Sequence, residues 1–184
     1  MREHLNRDRS PEVERAPRPR EGLRIDVGGE MVVVPIDEVP ELIRRTCPEF
    51  EIDARLLWDL ELQPQPIAVN AVSWMLELPV WPERGIPFAL RPVDVIRSPV
   101  QHPEHAQRIA NASLGFPIEV VPYRNRLVIL EGCHRTSKAV IDSKPTILAR
   151  VVPPPRIPEI IDWTATAPSF NLRQFMHREY GIDV

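Results

Sequence analysis

The chain has 184 residues, 43% of them hydrophobic, with 23 Lys and Arg against 26 Asp and Glu and a formal net charge of -3. That length and hydrophobic content can bury one core, with room for an appended subdomain, and the slight negative charge excludes the overall basic field of a dedicated nucleic-acid binder while leaving a local patch open. The cysteines, Cys47 and Cys133, are too far apart to indicate a disulfide framework or a zinc ribbon; with no run of about eighteen apolar residues and no apolar signal core, a cytoplasmic protein is expected.

Residues 1–20 mix both charge signs with proline and have almost no apolar periodicity, so a disordered tail is expected. Gly28 and Gly29 then separate two β-rich runs, a hairpin signal, and residues 37–45 and 53–62 read as short helices with acidic starts. Prolines 79, 82 and 87 break the aromatic stretch 69–90 into a packed loop with strand pieces, in which Trp74 and Trp81 cover the core. The high proline count, 22 against 7 glycines, favours short elements and ordered loops throughout.

The second half is more regular. Pro103 opens a helix whose apolar side carries Ala106, Ile109 and Ala110 and which is expected to end at Gly115. Strands at 117–121 and 126–131 follow, joined by a turn where Asn125 can take the left-handed conformation. A helix from Cys133 and a strand over "TILARVVP" complete a β-α-β pattern, and a proline-rich connector leads to a closing helix with Phe170, Phe175 and Met176. The class is α/β (α+β), a small mixed sheet with flanking helices. Its expected divisions are an extension over 21–87 packed on a core at 88–153, and a connector and helix at 154–184.

Where the strand 126–131 ends, "EGCHRTSKAV" crowds reactive and charged groups onto the start of a helix. A helix start carries unpaired N–H groups and partial positive charge, so phosphate is the natural guest. Gly132 permits close approach, Arg135 offers a bidentate fork, Thr136 and Ser137 add hydroxyls, and Lys138 adds a second cation. Glu131 can hold a ribose hydroxyl, a magnesium ion or a proton in transfer, and His134 can donate to phosphate or shuttle a proton. Cys133, at a helix N-terminus beside Arg135, is expected to have a lowered pKa and a nucleophilic thiolate.

Residues 88–153, and "ILEGCHRTSKAV" above all, resemble the ParB/sulfiredoxin superfamily and its G-x-H-R nucleotide-binding signature. The resemblance implies that Gly132, His134 and Arg135 wrap nucleotide phosphates and that Arg97, before the helix, lies near them. Three branches stay open. The string "GCHR" is similar to sulfiredoxins, whose motif cysteine, here Cys133, attacks a phosphorylated sulfinic acid; Glu131 and Thr136 depart from that pattern. Glu131 before Gly132, His134 and Arg135 resembles the free serine kinases, which implies ATP- or ADP-dependent phosphoryl transfer to a small molecule, with Cys133 incidental. Glu104 and His105 are placed to reach the same crevice. The DNA-partition branch needs a following helix-turn-helix, for which too few residues remain, so specific DNA binding is not expected.

A rival reading makes a metal site from His102 and His105 with Cys133 or His134. The favoured expectation is an enzyme binding a nucleoside di- or triphosphate (ATP or ADP, or CTP) with Mg2+ and catalysing phosphoryl transfer or nucleotide hydrolysis, with Glu131, His134 and Cys133 as catalytic candidates. A non-catalytic nucleotide-sensing module is the further alternative; a homodimer or a protein partner on the Trp74 to Phe88 surface is left open.

Overall fold

The computed structural model describes residues 22–27, 29–166 and 169–184. The expected disordered tail, Gly28 of the glycine pair, and Ala167 and Pro168 of the C-terminal connector lie outside the described residues. Among the described residues no helix is long and apolar enough to cross a membrane.

The protein is mixed α and β, with small sheets and flanking helices. Strands β1 (Gly22–Val27) and β2 (Glu30–Pro35) form an antiparallel ribbon whose turn contains Gly29 at φ 92°. Two short helices follow, α1 (Glu41–Thr46) and α2 (Ala54–Asp59). Asp53 caps α2, its carboxylate accepting from the N–H groups of Arg55 and Leu56. Each buries essentially one side, Ile43 and Leu57.

The central sheet has four strands in the order β3-β8-β6-β7: β3 (Gln65–Ala68), β6 (Ile118–Tyr123), β7 (Arg126–Glu131) and β8 (Thr146–Val151). The 6–7 hairpin closes through Arg124 and Asn125, both at positive φ, so the turn expected at Asn125 is present. β6 and β8 run parallel and need a crossover, which α5 (Cys133–Ile141) supplies. The segment 21–87 therefore contributes an edge strand, β3, to the sheet itself as well as packing on it.

Between β3 and β6 the prolines limit structure to short pieces. Two 3₁₀ turns (Val69–Ala71 and Ser73–Glu77) and a second ribbon, β4 (Trp81–Glu83) with β5 (Ile86–Leu90), lead to α3 (Pro92–Arg97) and α4 (Pro103–Asn111). Helix α4 ends before the expected Gly115 because Ala112 turns extended. The chain closes with α6 (Leu172–Tyr180), capped by Asn171 and ended by Gly181 at φ 67°. Phe175 and Met176 of α6 are fully covered; Phe170 packs from just outside it.

Two apolar clusters result. The larger runs through the sheet, α1, α2 and α6; the smaller comprises Trp81, Leu90, Val95 and Ile109, from β4, β5, α3 and α4. Cys133, the first residue of α5, packs against both. The start of α5 is therefore the joint between them.

Candidate functional site

Helix α5 begins at Gly132, which is buried and takes φ 110°. A side chain here would meet Ile118 of β6: an added Cβ would lie 2.5 Å from Ile118 Cγ2 and 2.8 Å from its Cβ. Glycine is thus required by left-handed backbone and by close strand packing together. No side chain caps α5, and its first backbone bond runs from Thr136 N–H to Gly132 O at 2.9 Å, leaving the N–H groups of Cys133, His134 and Arg135 ahead of the ladder.

The side chains of this first turn do not share one crevice. Arg135 folds back over the preceding strand and donates to Glu131. Both line an open cleft of about 500 Å³ with Glu119 and Arg150 at its floor and Trp58 and Phe116 on its walls. Thr136 and Ser137 are buried and donate to the carbonyls of Gly132 and Cys133, so their hydroxyls serve the helix instead of a ligand. Lys138 reaches away to the carbonyl of Ala110 at 2.7 Å, and exposed Arg97 faces Glu77 at 3.8 Å. These positions do not gather Thr136, Ser137, Lys138 and Arg97 around one anion.

The Cys133 expectation is corrected. Burial pushes its thiol up to about 12, helped by Cys47 and Glu131 and only partly offset by Arg135. The helix N-terminus does not outweigh the loss of solvent at the joint between the two clusters.

His134 points to the other side. Its Nε2 lies 3.2 Å from Nδ1 of His105, whose own Nε2 lies 3.1 Å from the carbonyl of Pro82. That carbonyl can only accept, so His105 carries its proton on Nε2, and His134 donates from Nε2 to the free Nδ1 of His105; the tautomers are inferred from this network. Trp81 stacks on both imidazoles, with centroids 4.5 and 4.4 Å away and planes within 14°. Burial lowers the His134 pKa to about 4, with His105, Arg108 and Arg135 adding to the effect. At neutral pH it is an uncharged donor and acceptor.

This contact joins the first turns of two helices. His105 stands in the first turn of α4, whose N-cap His102 makes no capping bond and whose first backbone bond is Ala106 N–H to His102 O at 3.0 Å. Beside it opens a cleft of about 700 Å³ lined in part by Arg84, His102, His105 and Arg108. Its carboxylates are matched: Glu83 meets His102 at 2.5 Å and Glu104 meets Arg108 at 3.3 Å. His105 reaches the α5 turn, whereas Glu104 pairs along its own helix. Trp81, expected as a core-covering ring, lies over both histidines, and its place at the start of a strand after Pro79 is the local signal the sequence carries for it.

Among the described residues no three His, Cys, Asp or Glu side chains gather to hold a metal ion. The His102, His105 and Cys133 or His134 site is therefore not assembled, because His102 turns to Glu83 and His105 hydrogen-bonds His134. Glu131 is likewise held by Arg135, so its surroundings do not fit a protein-held magnesium ion. No protein-family model matches the chain, and neither curated proteins nor solved structures give a match.

Proposed function

We propose that the chain binds the phosphates of a nucleoside di- or triphosphate where the first turns of α4 and α5 meet, and that it catalyses phosphoryl transfer to a small molecule or nucleotide hydrolysis. The observation that carries the proposal is the 3.2 Å contact of His105 with His134. Two helix starts without side-chain caps converge there, each with free N–H groups and a partial positive end. Arg84, and Arg108 with its partner Glu104, line the cleft beside the α4 start and bring cationic side chains there. The order of elements and the E-G-C-H-R string support placing the chain with the ParB/sulfiredoxin superfamily, in which such a junction holds nucleotide phosphates.

In this proposal Gly132 sets the helix start, the N–H groups of His134 and Arg135 bind phosphate oxygens, and neutral His134 keeps its orientation through His105 and Trp81. Growing charge on the transferred phosphoryl group is then met by fixed donors that need no rearrangement. Magnesium enters as the counter-ion of the nucleotide phosphates, not on a protein carboxylate. The sulfiredoxin alternative is disfavoured, since a thiol at about 12 supplies almost no thiolate at neutral pH.

Calorimetry with ATP, ADP and CTP, with and without magnesium, tests the proposal. Binding that weakens roughly tenfold or more in Arg108→Ala supports it. Absence of heat for every nucleotide on the unaltered chain refutes it.

A further inference from the structure

We propose that the cleft between Trp58 and Phe116 is a second binding site, for a neutral ring bearing several hydroxyl groups, a sugar or a cyclitol. It shares no lining residue with the cleft at α4 and does not depend on the nucleotide reading.

The walls are the first reason. Trp58 and Phe116 are 58% and 65% exposed, although aromatic rings of this size gain most by burial. Among the described residues neither ring stacks on another aromatic, and each residue leaves more than half of its surface to the cleft or to solvent.

Their mounting is the second. Arg150 donates to the carbonyls of Leu57, Trp58 and Leu60 at 3.2, 3.2 and 3.0 Å, which fixes the end of α2 that carries the exposed indole. Nε of Arg150 is held in turn by both carboxylate oxygens of Glu119, at 2.9 and 3.1 Å. Phe116 lies in the bend two residues before Ile118, where the strand carrying that glutamate begins. An exposed aromatic on a backbone locked by a buried ion pair is preorganised, which lowers the entropy lost on binding.

The floor selects the ligand. Two glutamates and two arginines line it, and each arginine is bonded to one of the glutamates, so no uncompensated charge is left to favour an anion or a cation. Glu131 accepts and Arg135 donates side by side, and Nε of Arg135, buried beneath the pair, has no hydrogen-bond partner. Hydroxyl groups are donors and acceptors at once and match such a floor, while the C–H faces of a saturated ring pack on indole and phenyl. At about 500 Å³ the cleft suits one or two sugar rings.

The test uses the full chain labelled with 15N, reading the indole N–H resonance of Trp58, assigned with Trp58→Phe. Titration with methyl glucoside, methyl mannoside, methyl galactoside, myo-inositol and maltotriose, each to about 100 mM, is expected to give at least one saturable shift with a Kd of roughly millimolar or tighter. Phe116→Ala and Glu131→Gln are expected to weaken that ligand roughly fivefold or more while the rest of the spectrum stays dispersed. No saturable shift from any of these compounds, a shift from adenosine alone, or unchanged affinity in Phe116→Ala overturns the proposal. Tripolyphosphate, followed at the His105 and His134 ring resonances, reports the other cleft, so the two sites fail separately.

Discussion

Glu119 and Arg150 are register partners on the parallel strands β6 and β8, and their side chains, 4% and 14% exposed, close on each other across the sheet. Burial raises the Glu119 pKa, with Arg150 opposing the rise. Because the same guanidinium also holds the end of α2, removing it strands a buried carboxylate and frees three carbonyls at once. Arg150→Met is expected to lose about 3–5 kcal/mol in urea unfolding, and Glu119→Leu with Arg150→Met to recover part of it. A loss under about 1 kcal/mol for the single variant would show that the pair is solvated.

Gly132→Ala is a second measurable case. The added methyl meets Ile118 and the backbone must keep a positive φ, so overpacking of roughly 1–3 kcal/mol and strain of about 1 kcal/mol combine. Ile118→Val in the same chain should return part of that loss, and thermal unfolding of the single and double variants separates packing from backbone strain.

The pH dependence follows from His134. Its folded pKa of about 4 lies below the ordinary value near 6.5, so the unfolded chain binds more protons between those limits. Stability from this residue is complete above about pH 6.5 and is lost as pH falls toward 4. His134→Gln should flatten the Tm profile in that window. Anion binding favours the protonated ring, so tripolyphosphate should raise the His134 pKa in an NMR titration.

Cys133 should resist alkylation. With its thiol raised to about 12, iodoacetamide at pH 8 should react on the order of a thousandfold more slowly than with an unperturbed cysteine, and at the ordinary rate once the chain is unfolded in guanidinium. Mass spectrometry of timed digests reads this directly. Rapid native labelling at Cys133 would restore the thiol chemistry expected from its place at a helix start.

The elements that proved legible in the sequence were those with local signals. The β6–β7 hairpin was readable from its apolar runs and Asn125, and the α5 start from the change of pattern at Gly132. Strand β3 was not, because Gln65–Ala68 is four residues long and contains Pro66; only its pairing with β8 makes it a strand. The same limit applies to the site. The strand-to-helix junction was readable, but not that the Arg135 and His134 side chains turn to different sides of it, because the Glu131 and His105 contacts that separate them form only in the folded chain. Cys133 shows the converse: its position favoured a thiolate, and packing against two clusters decided otherwise.

The pairing of β3 with β8 also bears on how the chain is made. Gln65 waits for Ala149, 84 positions later, and β6 gains its parallel neighbour from the same late segment. During synthesis the β6–β7 hairpin can form as it emerges, whereas the sheet stays half-built until β8 clears the ribosome. Truncation before Thr146 should therefore leave a nascent chain with exposed strand edges that chaperones retain, and release should coincide with the arrival of Arg150.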